Sequence, residues 1–157
     1  MSARPLALPA ACALALALAA CGGGGPKAPA PAASKASVRR TIVTFTRELA
    51  AGNGRVACGG LTASGQSSVI GVLGPELANF GIDTCAGTVQ VTGYQLTKVL
   101  RRELLTVRVG AVKLSASTAT VEWSQIQTTA GSLSALFGHP PAVTLRRIRG
   151  FWAISRL

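Results

Sequence analysis

The sequence predicts an α+β domain in which N-terminal helices pack on a curved antiparallel sheet of four strands. Three observations carry that reading. Apolar residues first recur at spacings of three and four, the period of a helix. From Leu105 the period changes to two, and alternation marks the apolar segments down to Leu157. Glycine, proline and small polar residues separate the segments at intervals short enough for helical hairpins and strand turns.

The chain before the domain is of another kind. Met1 to Pro9 carries one positive residue, Arg4, and Ala10 to Ala20 is almost entirely Ala and Leu, with Cys12 among them, which reads as a secretory signal. The apolar run from Leu6 to Ala20 is about 15 residues, short of the ~20 a spanning helix needs, and no later segment is apolar for as long. Leu18-Ala19-Ala20-Cys21 resembles the bacterial lipoprotein box. That resemblance implies thioether lipidation of Cys21, cleavage just before it, and a lipid-anchored protein on the extracytoplasmic face of the cell membrane. Residues 1–20 are then the signal peptide, 21–36 a tether and 37–157 the domain. The tether, GGGGPKAPAPAASKA after Cys21, has no apolar periodicity and reaches at most about 45 Å.

Within the domain, Val38, Ile42, Phe45 and Leu49 form one helical stripe, with Ser37 placed to cap it and Gly52-Asn53-Gly54 to stop it. Arg39, Arg40, Arg47 and Glu48 lie off the stripe and are expected in solvent. Arg55 to Gly60 reads as a short turn carrying Cys58. Thr62 caps a second helix from Ala63 to Leu73, whose Gly- and Ser-rich interior has poor intrinsic propensity and must be held by packing. Pro75 to Gly81 is expected to turn, with Leu77 and Phe80 as apolar contacts. After the cap-type residues Asp83 and Thr84 the pattern is mixed: Thr88 to Thr92 alternates like a strand, whereas Leu96, Val99, Leu100 and Leu104 recur like a helix, and helix is favoured.

Leu105, Val107 and Val109 alternate on one face and Val112 and Leu114 on the other, so a bulge is expected at Gly110-Ala111. Ser115-Ala116-Ser117 turns the chain into a strand with Ala119, Val121 and Trp123 inward, running to about Gln127. A loop from Thr128 to Pro141 holds Leu133, Leu136 and Phe137. Val143, Leu145 and Ile148 make a third strand and Phe151 to Leu157 a fourth, joined by the two-residue hairpin signal Arg149-Gly150.

An amphipathic first helix, a cysteine in the next short turn, a second cysteine about 27 residues on, and a Gly-punctuated meander ending in Gly150-Phe151-Trp152-Ala153-Ile154 resemble the nuclear-transport-factor-like or SnoaL-like domain found in small secreted actinobacterial lipoproteins. The resemblance covers Val38 to Leu157 and implies a cystatin-like cone roll, a curved sheet around a long helix. It also implies packing roles for Trp152 and Ile154 in the closing strand, and an interior that serves either as a pocket for a small apolar ligand or as a filled core.

Composition limits the partners. The formal charge is +11 with 16 basic against 5 acidic residues. Aromatics are only 4% and not interleaved for stacking, and an exported protein meets no nucleic acid, so nucleic acid is excluded as partner. Arg outnumbers Lys twelve to four in an Ala- and Gly-rich chain, so part of the charge reflects GC-rich coding. The remainder favours anionic lipid or cell-wall polymer, beside an envelope protein or small ligand. With Cys12 in the signal and Cys21 lipidated, Cys58 and Cys85 are the domain's two thiols, and in an oxidising compartment they pair. The disulfide closes a loop worth roughly 3.5 kcal/mol. Neither cofactor nor metal ligand set is visible.

No catalytic residue is assigned. The single histidine, His139, precedes Pro140-Pro141 and reads as a turn residue, and Glu122, the one carboxylate of the predicted sheet, faces water if Trp123 is inward, near Arg108. Arg146, Arg147 and Arg149 form the densest basic cluster, which reads first as a solvated sheet edge that blocks edge pairing; since Arg146 and Arg147 point to opposite faces of a strand, the alternative is that one of them meets an anion from inside the roll.

Overall fold

A computed structural model describes residues 34–133, 137 and 141–157. The signal peptide, Cys21, the tether up to residue 33 and His139 lie outside the described residues. Helix α1 spans Lys35–Ala50, and Val38, Ile42, Phe45 and Leu49 are all buried, as their spacing requires. Its cap is Ser34, not Ser37. The Ser34 hydroxyl accepts the Ser37 N–H at 3.1 Å while the Ser37 side chain returns to the Ser34 N–H, a reciprocal box that two serines three apart make possible one turn earlier. Gly52, at φ +67°, then turns the chain out of the helix.

The expected turn after α1 is helix α2, Gly54–Gly59. A Cβ at Gly54 would collide with the Ala86 carbonyl, so α2 lies backbone to backbone on helix α4, Cys85–Gln95, and the Cys58–Cys85 disulfide joins the two with a Cα separation of 6.1 Å. Helix α3, Ala63–Leu73, begins where expected, with the Thr62 hydroxyl accepting the Gly65 N–H at 3.0 Å. A 3-10 turn at Leu77–Phe80 follows. It leaves Phe80 79% exposed, a correction to its expected apolar contact, because Gly81 turns the chain away immediately.

The alternating segment after Cys85 is helical: Thr84 caps α4, which buries Thr88, Val89 and Gly93, and Thr97 caps α5, Lys98–Leu105. Leu105 is therefore the last residue of a helix and half exposed, not the start of a strand.

Seven short strands form two antiparallel sheets among the described residues. Strands β2 (Lys113–Leu114), β3 (Thr118–Glu122), β6 (Ala142–Ile148) and β7 (Phe151–Arg156) lie side by side in that order; β1 (Arg108–Val109), β4 (Ile126–Thr128) and β5 (Gly131–Ser132) make the second sheet. The expected bulge at Gly110-Ala111 is instead the point where the chain leaves one sheet for the other. Trp123–Gln125 makes the same break on the return as a 3-10 turn, and the Gln125 carbonyl and side chain accept the Gly110 and Ala111 N–H groups at 2.8 and 3.0 Å. Arg39 is exposed as expected, and it also spans to this junction and donates twice to the Gly110 carbonyl, at 2.8 and 3.1 Å.

One apolar core unites the layers. Val38, Ile42 and Phe45 of α1 pack in it with Val121, Leu145 and Ile154 of the larger sheet, while Trp123 stacks on Phe137 at 4.5 Å. The outer edge of β7 is covered at Ile154, whose N–H donates to Gly60 O and whose carbonyl accepts from Thr62 N–H, a short parallel bridge that interrupts the open edge.

Candidate functional site

Alternation along β6 sends Val143 and Leu145 to the core, so the other phase, Thr144, Arg146 and Ile148, belongs to the outer face. Ile148 belongs to the third strand as expected, but it lies three residues after Leu145, out of phase with the inward pair, and is 46% exposed. At the tip Arg149 (φ +50°) and Gly150 (φ +91°) make the expected two-residue turn. Register then sets Phe151 opposite Ile148 and Ala153 opposite Arg146. Phe151 is 68% exposed, so the hairpin end carries two bare apolar side chains with Arg146 and Arg149 beside them.

Behind this tip lies a groove of about 380 Å³. Thr62, the cap of α3, and Ser64 in its first turn, Ser117 and Thr118 where β3 begins, and Arg146, Arg147 and Ile148 line it. The hydroxyls are pre-arranged: Thr62 Oγ1 and Ser64 Oγ lie 2.9 Å apart, and Thr118 Oγ1 lies 3.1 Å from Ser115 Oγ. Arg147 N–H donates to the Ser117 carbonyl at 2.8 Å, which locks the end of β6 to the start of β3. The Arg146 guanidinium and four hydroxyls offer hydrogen-bond donors and positive charge, the recognition chemistry of an anion.

A second cavity, of about 220 Å³, lies between α1, α2 and β7, lined by Arg40, Thr41, Phe45, Val56, Ala57 and Trp152. The indole Nε1 of Trp152 is buried without a hydrogen-bond partner among the described residues.

Carboxylates are engaged elsewhere. Glu122 pairs with Lys113 at 2.7 Å, not with Arg108, because Lys113 lies on the neighbouring strand β2 while Arg108 belongs to the other sheet. Hydrogen bonding and the charge of Lys113 hold the Glu122 carboxyl below the ordinary carboxylate value and raise the lysine. Glu103 on α5 reaches the β4–β5 turn. Hydrogen bonds from Thr128, the Ala130 amide and Thr129 lower its pKa, those from Thr129 Oγ1 and Ala130 N measuring 2.9 Å. Glu48 accepts from Asn53 Nδ2 at 2.9 Å. Among the described residues no group of three or more His, Cys, Asp or Glu side chains is placed to hold a metal, and no helix is long and apolar enough to cross a membrane.

All described Lys and Arg side chains reach solvent, Arg147 half-buried and the others exposed. No protein-family model matches the chain, and neither does any curated protein or solved structure.

Proposed function

We propose that the chain is a cell-envelope lipoprotein whose domain, anchored through Cys21 outside the cytoplasmic membrane, binds a partner on its outer surface without turnover. The observation that favours a surface over an interior site is the packing. Of the side chains that would wall an apolar cavity, Val107, Val121, Trp123, Val143, Leu145, Trp152 and Ile154 are each at most 7% exposed and share one core with α1, and Val109 is partly buried against it. The packing of α1 on the larger sheet, with Val38, Ile42 and Phe45 in one core with Val121, Leu145 and Ile154, is in keeping with a nuclear-transport-factor-like cone roll.

A binding role also fits the titratable groups. Proton transfer needs a group that titrates near neutrality and faces substrate. Glu122 and Glu103 are instead tied to structural partners that stabilise their charged forms. A basic surface that meets anionic lipid or polymer is supported by the exposure of the cationic side chains while carboxylates such as Glu122, Glu103 and Glu48 are committed to bonds.

Stable anchoring takes two or more acyl chains. Cells fed a labelled fatty acid should label the native chain and leave Cys21→Ala unlabelled. An unlabelled native chain, or a labelled Cys21→Ala, would overturn the anchoring.

A further inference from the structure

We infer that the β6–β7 hairpin is a second, non-covalent membrane contact: Ile148 and Phe151 enter the interface of an anionic bilayer while Arg146 and Arg149 and the groove behind them take phosphate groups of its lipids. This deepens the envelope reading above and rests on it.

Apolar surface exposed at the end of a two-residue turn is costly in water and unexplained by packing. Ile148 and Phe151 are a directly opposed cross-strand pair, 46% and 68% exposed, on the face that also carries Arg146. Aromatic and aliphatic side chains with arginines beside them suit the boundary of acyl chains and headgroups, where the apolar part leaves water and the cations keep anionic neighbours. A soluble anionic polymer would use the arginines and give the Ile148–Phe151 pair nothing to bury it. The pair therefore favours a bilayer.

The groove adds a fixed element. Arg146 and Ile148 belong both to its lining and to the exposed face of the hairpin, so a phosphate held by the hydroxyls of Ser64 and Thr118 lies next to the inserted pair. Ser64 also lies in the first turn of α3, where helix geometry leaves amide hydrogens unpaired and adds positive potential. Between Cys21 and Ser34 lie 12 residues, a covalent reach of at most about 45 Å, enough to let a domain anchored at Cys21 bring this hairpin down to the surface.

The test uses the full chain with its lipid, reconstituted on vesicles of about 30% phosphatidylglycerol in phosphatidylcholine or on phosphatidylcholine alone. Hydrogen exchange is followed in the peptide covering residues 148–153. Docking that blocks exchange slows it in proportion to the docking constant, so this peptide should exchange several-fold more slowly on the anionic vesicles. Two arginines near a charged surface correspond to about 25-fold in that constant. Arg146→Gln with Arg149→Gln should bring the two vesicle types to equal exchange, as should Ile148→Ser with Phe151→Ser or raising salt to about 0.5 M. Melting temperatures report whether the variants stay folded, and all four side chains are exposed. Equal exchange for the unmodified chain on both vesicles overturns the proposal. So does protection that survives the hairpin substitutions, and so does protection elicited by purified anionic wall polymer but not by the anionic vesicles. The mass of the N-terminal peptide in the same sample shows whether Cys21 carries lipid. A chain without it is mixed with excess vesicles and read in the same way, so failure of the anchor and failure of the hairpin contact are separately visible.

Discussion

Reducing the Cys58–Cys85 bond is expected to lower the melting temperature by about 10–18 °C. The two cysteines are 27 residues apart in sequence, and closing a loop of that length removes denatured-state entropy worth roughly 3.5 kcal/mol. In a domain of about 120 residues each kcal/mol moves the midpoint by about 3–5 °C. Both sulfurs are held in the core, Cys58 at 6% and Cys85 at 5% exposure, so reduction leaves two thiols where the bridge was and opens no cavity. Circular dichroism melts with and without a phosphine reductant measure the loop term. A Cys58→Ala, Cys85→Ala chain should melt at or somewhat below the reduced protein, since it also loses two buried sulfurs. The loss should be local as well. Helix α2 has six residues, too few to persist alone, so amide exchange in Gly54–Gly59 should rise more than in β6 on reduction. A midpoint change under about 3 °C, or uniform exchange across α2 and β6, would refute the reasoning that this bond pins α2 to α4.

Two glycines of α3 should respond with opposite signs to the same change. Gly65→Ala sets a methyl against the Ile154 carbonyl and should cost about 1–3 kcal/mol, whereas a Cβ at Gly71 meets nothing within 4 Å and Gly71→Ala should gain up to about 1 kcal/mol from helix propensity; urea midpoints distinguish them. The Glu103 bonds to the β4–β5 turn predict a pH dependence of defined sign. Its folded pKa is lowered below 4.5, so the stabilisation is present above the unfolded value and lost as pH falls through the folded one. Glu103→Gln should flatten the fall in urea midpoint between about pH 5 and 3, and an unchanged slope would remove Glu103 from the account.

Legibility followed the strength of the local signal. The stripe Val38, Ile42, Phe45, Leu49 and the hairpin at Arg149-Gly150 were readable because a single period or a single dipeptide dictates each structure. Thr62 capping Ala63–Leu73 was readable for the same reason. The Cys58–Cys85 pair followed from counting the thiols left in the domain. What failed was long-range. Leu105, Val107 and Val109 alternate, yet Leu105 completes α5, because Thr97 caps a helix that carries through it. The bend at Gly110-Ala111 divides two sheets because Gln125, 14 residues on, accepts both amides there, a partnership no local pattern encodes. For the candidate site, the arginine cluster was visible and the bare pair beside it was not. Its signal was the phase slip from Leu145 to Ile148, which reads as one more strand residue until register sets Phe151 opposite.

The close contacts between helices bear on where recognition can happen. Gly54 lies on the Ala86 carbonyl, Gly93 on the Gly52 backbone and Gly65 on the Ile154 carbonyl, so three junctions of the helical layer are made backbone against backbone. Such contacts suit helices like α3 and α4, which are rich in Gly, Ser and Thr and gain little from propensity, since close approach replaces side-chain bulk as the source of packing. They also leave little to move. To open an interior pocket on this side, α3 would have to withdraw from β7, breaking the Leu61–Ile154 bridge and the Gly65 contact together while the disulfide still holds α2 to α4. Rearranging the exposed hairpin tip breaks none of these. A fold stiffened by glycine contacts and one crosslink thus places its adaptable, unpartnered chemistry at the end of β6 and β7, where arginines and bare apolar side chains share one face.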